Sequence, residues 1–82
     1  MDIIEVEIIL KDGTKVIFDM PVYAPQYYLP AIDLWVRGYW ESQKTWVLVR
    51  WDGKFWWEVE NQGNPIDIIL WYKEPQVIYK DA

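Results

Sequence analysis

Two Asp-Gly dipeptides, Asp12-Gly13 and Asp52-Gly53, each lie between runs that alternate apolar with polar residues, and this constrains the chain most. Such an arrangement marks a β-hairpin, because glycine enters the left-handed backbone region freely and successive strand side chains point to opposite faces. Before the first turn, Ile4, Val6, Ile8 and Leu10 share one face, while Ile3, Glu5, Glu7 and Ile9 share the other. Lys15 to Met20 supplies the returning strand. Parity selects the register. A two-residue loop sets Leu10 against Lys15 and Val6 against Asp19, mixing the faces. A three-residue loop, Lys11-Asp12-Gly13 with Gly13 left-handed, pairs Leu10 with Thr14, Ile8 with Val16 and Val6 with Phe18, which leaves one face wholly apolar.

The same reasoning applies to the second turn. Trp46 to Trp51 and Lys54 to Glu60 read as two strands, and a three-residue loop (Trp51 to Gly53) pairs Val49 with Phe55 and Val47 with Trp57. That register predicts an uncharged face of Val47, Val49, Phe55, Trp57 and Val59. It turns Trp46, Leu48 and Trp56 to the opposite face, among Arg50, Lys54, Glu58 and Glu60.

Elsewhere the signals are weaker. Pro21, Pro25 and Pro30 interrupt any ladder or long helix, so Val22 to Leu29 is expected as an extended connection lined by Tyr23, Tyr27 and Tyr28. Residues 31–41 fit two periods. A helix would align Ile32, Trp35, Val36, Tyr39 and Trp40; a strand would turn Ile32, Leu34, Val36 and Trp40 inward and Asp33, Trp35, Arg37, Tyr39 and Glu41 outward. Strand is favoured, because Val, Trp and Tyr prefer it and Gly38 would cost a helix about 1 kcal/mol. Asn61 to Pro65 is a turn cluster, Ile66 to Lys73 a strand, and Gln76 to Lys80 a short terminal strand after Pro75. The expected fold is mainly β: one small domain over residues 1–82, a barrel-like or two-layer antiparallel sheet. The alternative is α+β, with one helix at 31–41 packed on the sheet.

Composition narrows the chemistry. The 82 residues include neither histidine nor cysteine, so the usual general base, nucleophile and zinc or copper ligands are missing. No metal site, cofactor or catalytic residue is therefore expected, and the protein reads as a non-enzyme. Glu5, Glu7 and Asp19 share an outer hairpin face, but their spacing is that of an ordinary solvated sheet face. The net charge of −5 opposes binding to nucleic acid or an anionic membrane. No apolar run reaches the length of a membrane span and no basic leader begins the chain, so a cytoplasmic location is the expectation.

Seven tryptophans, six tyrosines and two phenylalanines are more than a core this small requires. Stiff, amphipathic rings in surplus point to recognition. Trp46, Leu48 and Trp56, rimmed by Arg50, Lys54 and Glu58, form the expected partner-binding patch, and a homodimer at micromolar or higher concentration is expected through it or through an edge strand.

The run Val47-Leu48-Val49-Arg50-Trp51-Asp52-Gly53-Lys54-Phe55-Trp56-Trp57, followed by Ile69-Leu70-Trp71-Tyr72-Lys73-Glu74-Pro75, resembles the end of a small phage and prophage family of unknown function. Its members pass from a Val-Leu-Val strand through a Gly-Trp hairpin to a closing strand ending in His-Trp-Met-Pro-Leu-Pro. Trp71 stands at the family's tryptophan and Pro75 at one of its prolines, while Leu70 replaces the histidine and Lys73 the first proline. The resemblance covers about the C-terminal third and implies a phage-borne accessory protein inside a bacterium. The expected function is thus a non-enzymatic protein-interaction module that binds a host protein or itself. The alternatives are a small-ligand or glycan binder with Trp46 and Trp56 as a platform, and an acidic DNA-mimic inhibitor.

Overall fold

A computed structural model describes residues 2–61 and 63–75. The elements are β1 (Asp2–Ile9), β2 (Lys15–Val22), β3 (Trp35–Trp40), a short 3-10 turn (Glu41–Gln43), β4 (Thr45–Trp51), β5 (Trp56–Glu58) and β6 (Ile68–Tyr72). The fold is mainly β, with two antiparallel sheets: a β1–β2 hairpin and a four-stranded sheet ordered β5-β4-β3-β6. They do not close into a barrel. Among the described residues no helix is long and apolar enough to cross a membrane. The expected terminal strand at Gln76 to Lys80 lies outside the described residues.

The first hairpin adopts the register that parity selects. Val6 pairs with Phe18 and Ile8 with Val16, Gly13 takes φ 88°, and the Leu10 N–H donates to the Thr14 carbonyl at 2.8 Å. The Asp12 carboxylate accepts the Thr14 N–H at 2.8 Å and steadies the loop.

Residues 35–40 are strand, which sets aside the helical alternative. Val36 and Gly38 are buried, whereas Trp35 is exposed and Arg37 and Tyr39 half-exposed. The strand starts later than its pattern suggests, so Ile32 and Leu34 are exposed rather than turned inward. Asp33 takes φ 63° there, and its N–H donates to the Trp51 carbonyl at 2.8 Å. The expected extended connection from Val22 to Leu29 is corrected: β2 runs through Pro21 to Val22, with Pro21 opposite Ile3, and a turn follows in which Tyr27 and Tyr28 both donate to the Ala24 carbonyl.

The second hairpin departs from its predicted register. Trp51 pairs with Trp56, Arg50 with Trp57 and Val49 with Glu58. The loop is therefore four residues, 52–55, and each β5 side chain lies on the face opposite to the expected one. Trp56 is buried beside Trp51, with ring centroids 5.3 Å apart. Phe55 is exposed, and Trp57 joins the row of Arg50 on the outer face. The predicted uncharged face of Phe55, Trp57 and Val59 does not form, and Trp57 is not a core residue. Asp52 is the cause: its carboxylate accepts the N–H groups of Lys54 at 2.8 Å and Phe55 at 2.7 Å. The Asp52 N–H also closes onto the Phe55 carbonyl. A side-chain acceptor that captures two loop donors holds a longer turn than strand parity requires.

Two single bridges shape the rest. Tyr23 and Trp71 exchange both backbone hydrogen bonds at 2.9 Å, fastening the first hairpin to β6. Ile66 donates to the Trp56 carbonyl at 3.0 Å, which curls the four-stranded sheet over its inner face. Inside lie Val36, Val49, Trp56, Ile68 and Trp71, flanked by Tyr23, Trp40, Val47, Trp51 and Ile66. Within the β1–β2 hairpin Val22, at the end of β2, is buried, and the rest of the hairpin projects as an arm. The radius of gyration is 14.0 Å, against about 12 Å for a compact chain of this length.

Two substitutions test this core. A Cβ at Gly38 would lie 2.8 Å from Val49 Cγ2 and 2.9 Å from Ile68 Cγ2. Gly38→Ala should therefore destabilise by about 1–3 kcal/mol through overpacking, read from the urea midpoint. Trp56→Ala should cost roughly 3–5 kcal/mol as a cavity. A Trp56→Ala protein of unchanged midpoint would show that Trp56 is not in the core.

Candidate recognition surface

Register stacks the outward side chains of the four-stranded sheet into three rows. Trp57, Arg50 and Trp35 form the first, Leu48, Arg37 and Tyr72 the second, and Trp46, Tyr39 and Leu70 the third. These positions alternate with the core residues along each strand, so the residues that build the core also aim this surface.

Each row has a different character. In the third, Trp46 packs edge-on against Tyr39 at 5.3 Å between centroids, and against Tyr72 of the second row at 5.0 Å. Tyr72 is buried under this cluster. Burial raises its phenol pKa, Glu74 adds to the rise and Arg37 opposes it. In the second row Arg37 Nε donates to Glu74 Oε1 at 2.6 Å. The first row is the most open. Arg50 stands between two indoles in register and donates to Asp33 Oδ1 at 2.9 Å, while Trp35 is 59% exposed. Trp57 is held in place by its Nε1, which donates to Asp52 Oδ2 at 2.7 Å.

Three of the six residues expected in the patch, Trp46, Leu48 and Arg50, share this outer face. Trp56 does not; the four-residue turn sends it to the core and puts Trp57 in its place. A single platform made from Trp46 and Trp56 is thus excluded, because the two indoles lie on opposite faces. Lys54 sits in the turn with its ammonium 5.3 Å from the Phe55 ring centroid. Glu58, on the edge strand β5, borders a shallow depression of about 150 Å³ with Arg37, Trp46, Leu48 and Glu60. Trp35, Arg37 and Tyr39 complete the surface. The outward parity of strand 35–40 was the signal for them. Parity does not point to Trp57, because the turn that Asp52 holds is one residue longer than parity selects.

A second recess, of about 610 Å³, opens between the 52–55 turn and residues 65–69, walled by Trp51, Phe55, Trp56 and Ile66 with Glu41, Lys54 and Asp67 at its margin. Among the described residues, no group of three acids, histidines or cysteines is placed to hold a metal ion.

The Asp52 cluster should be visible in acid. The two loop N–H groups and the Trp57 indole lower the Asp52 pKa from the usual 3.8 to about 2. A lowered folded-state pKa means stability that is present above the unfolded value and lost as pH falls through the folded one. Between pH near 4 and pH near 2 the second hairpin should loosen, seen as a change in tryptophan near-UV dichroism. Asp52→Asn should flatten that transition; an unchanged acid profile in the variant would mean that other carboxylates govern it.

No protein-family model matches this sequence, and neither curated proteins nor solved structures provide a similar chain.

Proposed function

We propose that this chain is a non-enzymatic protein-interaction module, a phage or mobile-element accessory protein that docks a host protein on the outer face of its four-stranded sheet. The observation that carries the reading is the Trp35–Arg50–Trp57 row. Tryptophan and arginine are the residue types most enriched among interface hot spots. Here Asp33 holds Arg50 and Asp52 holds Trp57, so little of their side-chain freedom remains to be lost on binding. The polar groups beside them already have partners: Arg50 has Asp33, Arg37 has Glu74, and the Trp57 indole has Asp52. Covering the row therefore leaves neither arginine without its carboxylate. The likeness of the C-terminal third to a phage and prophage family supports the cellular setting, a bacterial cytoplasm.

A second reading, a small-ligand or glycan binder, has one observation in its favour. The 610 Å³ recess falls within the size range of ligand pockets and is walled by aromatic rings. Quenching or a blue shift of tryptophan fluorescence by a defined oligosaccharide, lost on Phe55→Ala, would support it over the first.

For the first reading the test is a photo-crosslinking residue at position 35 in the native host. It should capture one discrete protein, and Trp57→Ala should abolish the capture. With that partner purified, Trp35→Ala should lose about 2 kcal/mol or more of binding, while its unfolding free energy stays within about 0.5 kcal/mol of the parent. Equal capture from a crosslinker at Ile3, on the hairpin arm, would count against this face.

A further inference from the structure

The free edge of β2 is complementary to itself, and we infer that two copies of this chain pair there, β2 against β2, to make a continuous four-stranded sheet β1-β2-β2-β1. The inference is independent of the sheet face proposed above and rests on backbone parity and charge.

Backbone direction comes first. Tyr23 both donates to and accepts from Trp71, so its amide and carbonyl face away from β1. Backbone groups alternate sides along an antiparallel strand. Lys15, Ile17 and Asp19 therefore also present their N–H and C=O groups outward. Pro21 lies in the same series and has no donor, which ends the usable edge. Among the described residues, β2 has only β1 as a paired strand, and beyond it only the Tyr23–Trp71 bridge. Ile17 is 55% exposed. An unpaired strand edge of this kind is a template for another strand.

Charge then selects the occupant and the register. An antiparallel pairing of two copies centred on Ile17 sets Ile17 against Ile17 and Lys15 against Asp19 of the second copy, twice. All three are outward-facing positions, so the hydrogen bonds and the ion pairs fall in one register. It also sets Val16 against Phe18, extending the apolar face across the join. Asp19 gains most. Within its own hairpin it stands directly opposite Glu5, a like-charge pair that disfavours the sheet. Among the described residues Lys15 pairs with Glu7, at 3.2 Å. A lysine from the second copy supplies Asp19 with a counter-charge. The opposite edge fails the same test: pairing β1 with its copy about Val6 sets Glu5 against Glu7 twice, and centring on either glutamate sets it against itself. A strand-edge contact is small, so the dimer belongs among weak, reversible associations, with Kd on the order of 10 µM or weaker.

Sedimentation equilibrium of the full chain over a range of concentration tests this. A monomer–dimer equilibrium should weaken roughly tenfold or more in Asp19→Lys, which turns both cross-copy ion pairs into repulsions. The same change should leave the hairpin as stable or more so, because it faces Glu5. Adding Lys15→Asp to Asp19→Lys should restore dimerisation. Ile17→Pro, which removes the central outward donor as Pro21 already does nearby, should abolish it. A strict monomer at near-millimolar concentration overturns the inference. So does a dimer indifferent to Asp19→Lys, or one abolished by Trp35→Ala, which would move the contact to the sheet face. If a chain ending at Pro75 dimerises while the full chain stays monomeric, residues 76–82 occupy this edge and the inference also fails.

Discussion

Three N–H groups converge on the Asp52 carboxylate, two from the loop backbone and one from the Trp57 indole. That convergence holds the turn at four residues, and the turn length decides the facing of every residue in β5. Trp56 enters the core beside Trp51, and from there its carbonyl takes the Ile66 amide that curls the sheet. Trp57 goes outward next to Arg50. One side chain thus shapes the interior, the curl and the outer face of the sheet together. The dependence follows from the two-residue period of a strand, in which moving a register by an odd number exchanges the faces.

The interior economises on volume in a related way. Among the described residues the fully covered large side chains are Val36 and Val49, and the rings of Trp56 and Trp71 are buried around them. Gly38 allows this: with no side chain it lets Val49 and Ile68 meet over β3. Trp71 is the other joint. Its backbone ties the arm to the sheet through Tyr23, and its indole Nε1 donates to the Tyr28 carbonyl at 2.8 Å, fixing the proline-rich connection against the core. The surplus of aromatics is thus divided. Trp40, Trp51, Trp56 and Trp71 belong to the interior, whereas Trp35, Trp46 and Trp57 are on the outer face.

The molecule presents two surfaces of different chemistry. The sheet face is aromatic and cationic at its centre, with Arg37 and Arg50 paired to Glu74 and Asp33. The arm offers backbone donors and acceptors along an edge where Lys15 and Asp19 alternate with Ile17. A surface of rings discriminates by shape and desolvation, and an edge by main-chain hydrogen bonds and register. Among the described residues, arm and sheet are joined at the Tyr23–Trp71 bridge and the contacts around it.

Local alternation determined a good deal. The β class, the Lys11-Asp12-Gly13 loop with Gly13 left-handed, the pairing of Val6 with Phe18, and the outward facing of Trp35, Arg37 and Tyr39 could all be read from parity, because nothing beyond the neighbouring strand contests them. In the second hairpin parity failed, since the Asp52 carboxylate competes for the loop donors and its preference for a longer turn is not written in the alternation. Alternation alone could not choose between Trp56 and Trp57, since either ring suits a core; the four-residue turn held by Asp52 sends Trp56 inward, where Trp51 and Ile66 enclose it. Joining arm to sheet was also beyond the sequence. Tyr23 and Trp71 are 48 positions apart, and no local pattern reports a bridge that exists only once both strands are in place.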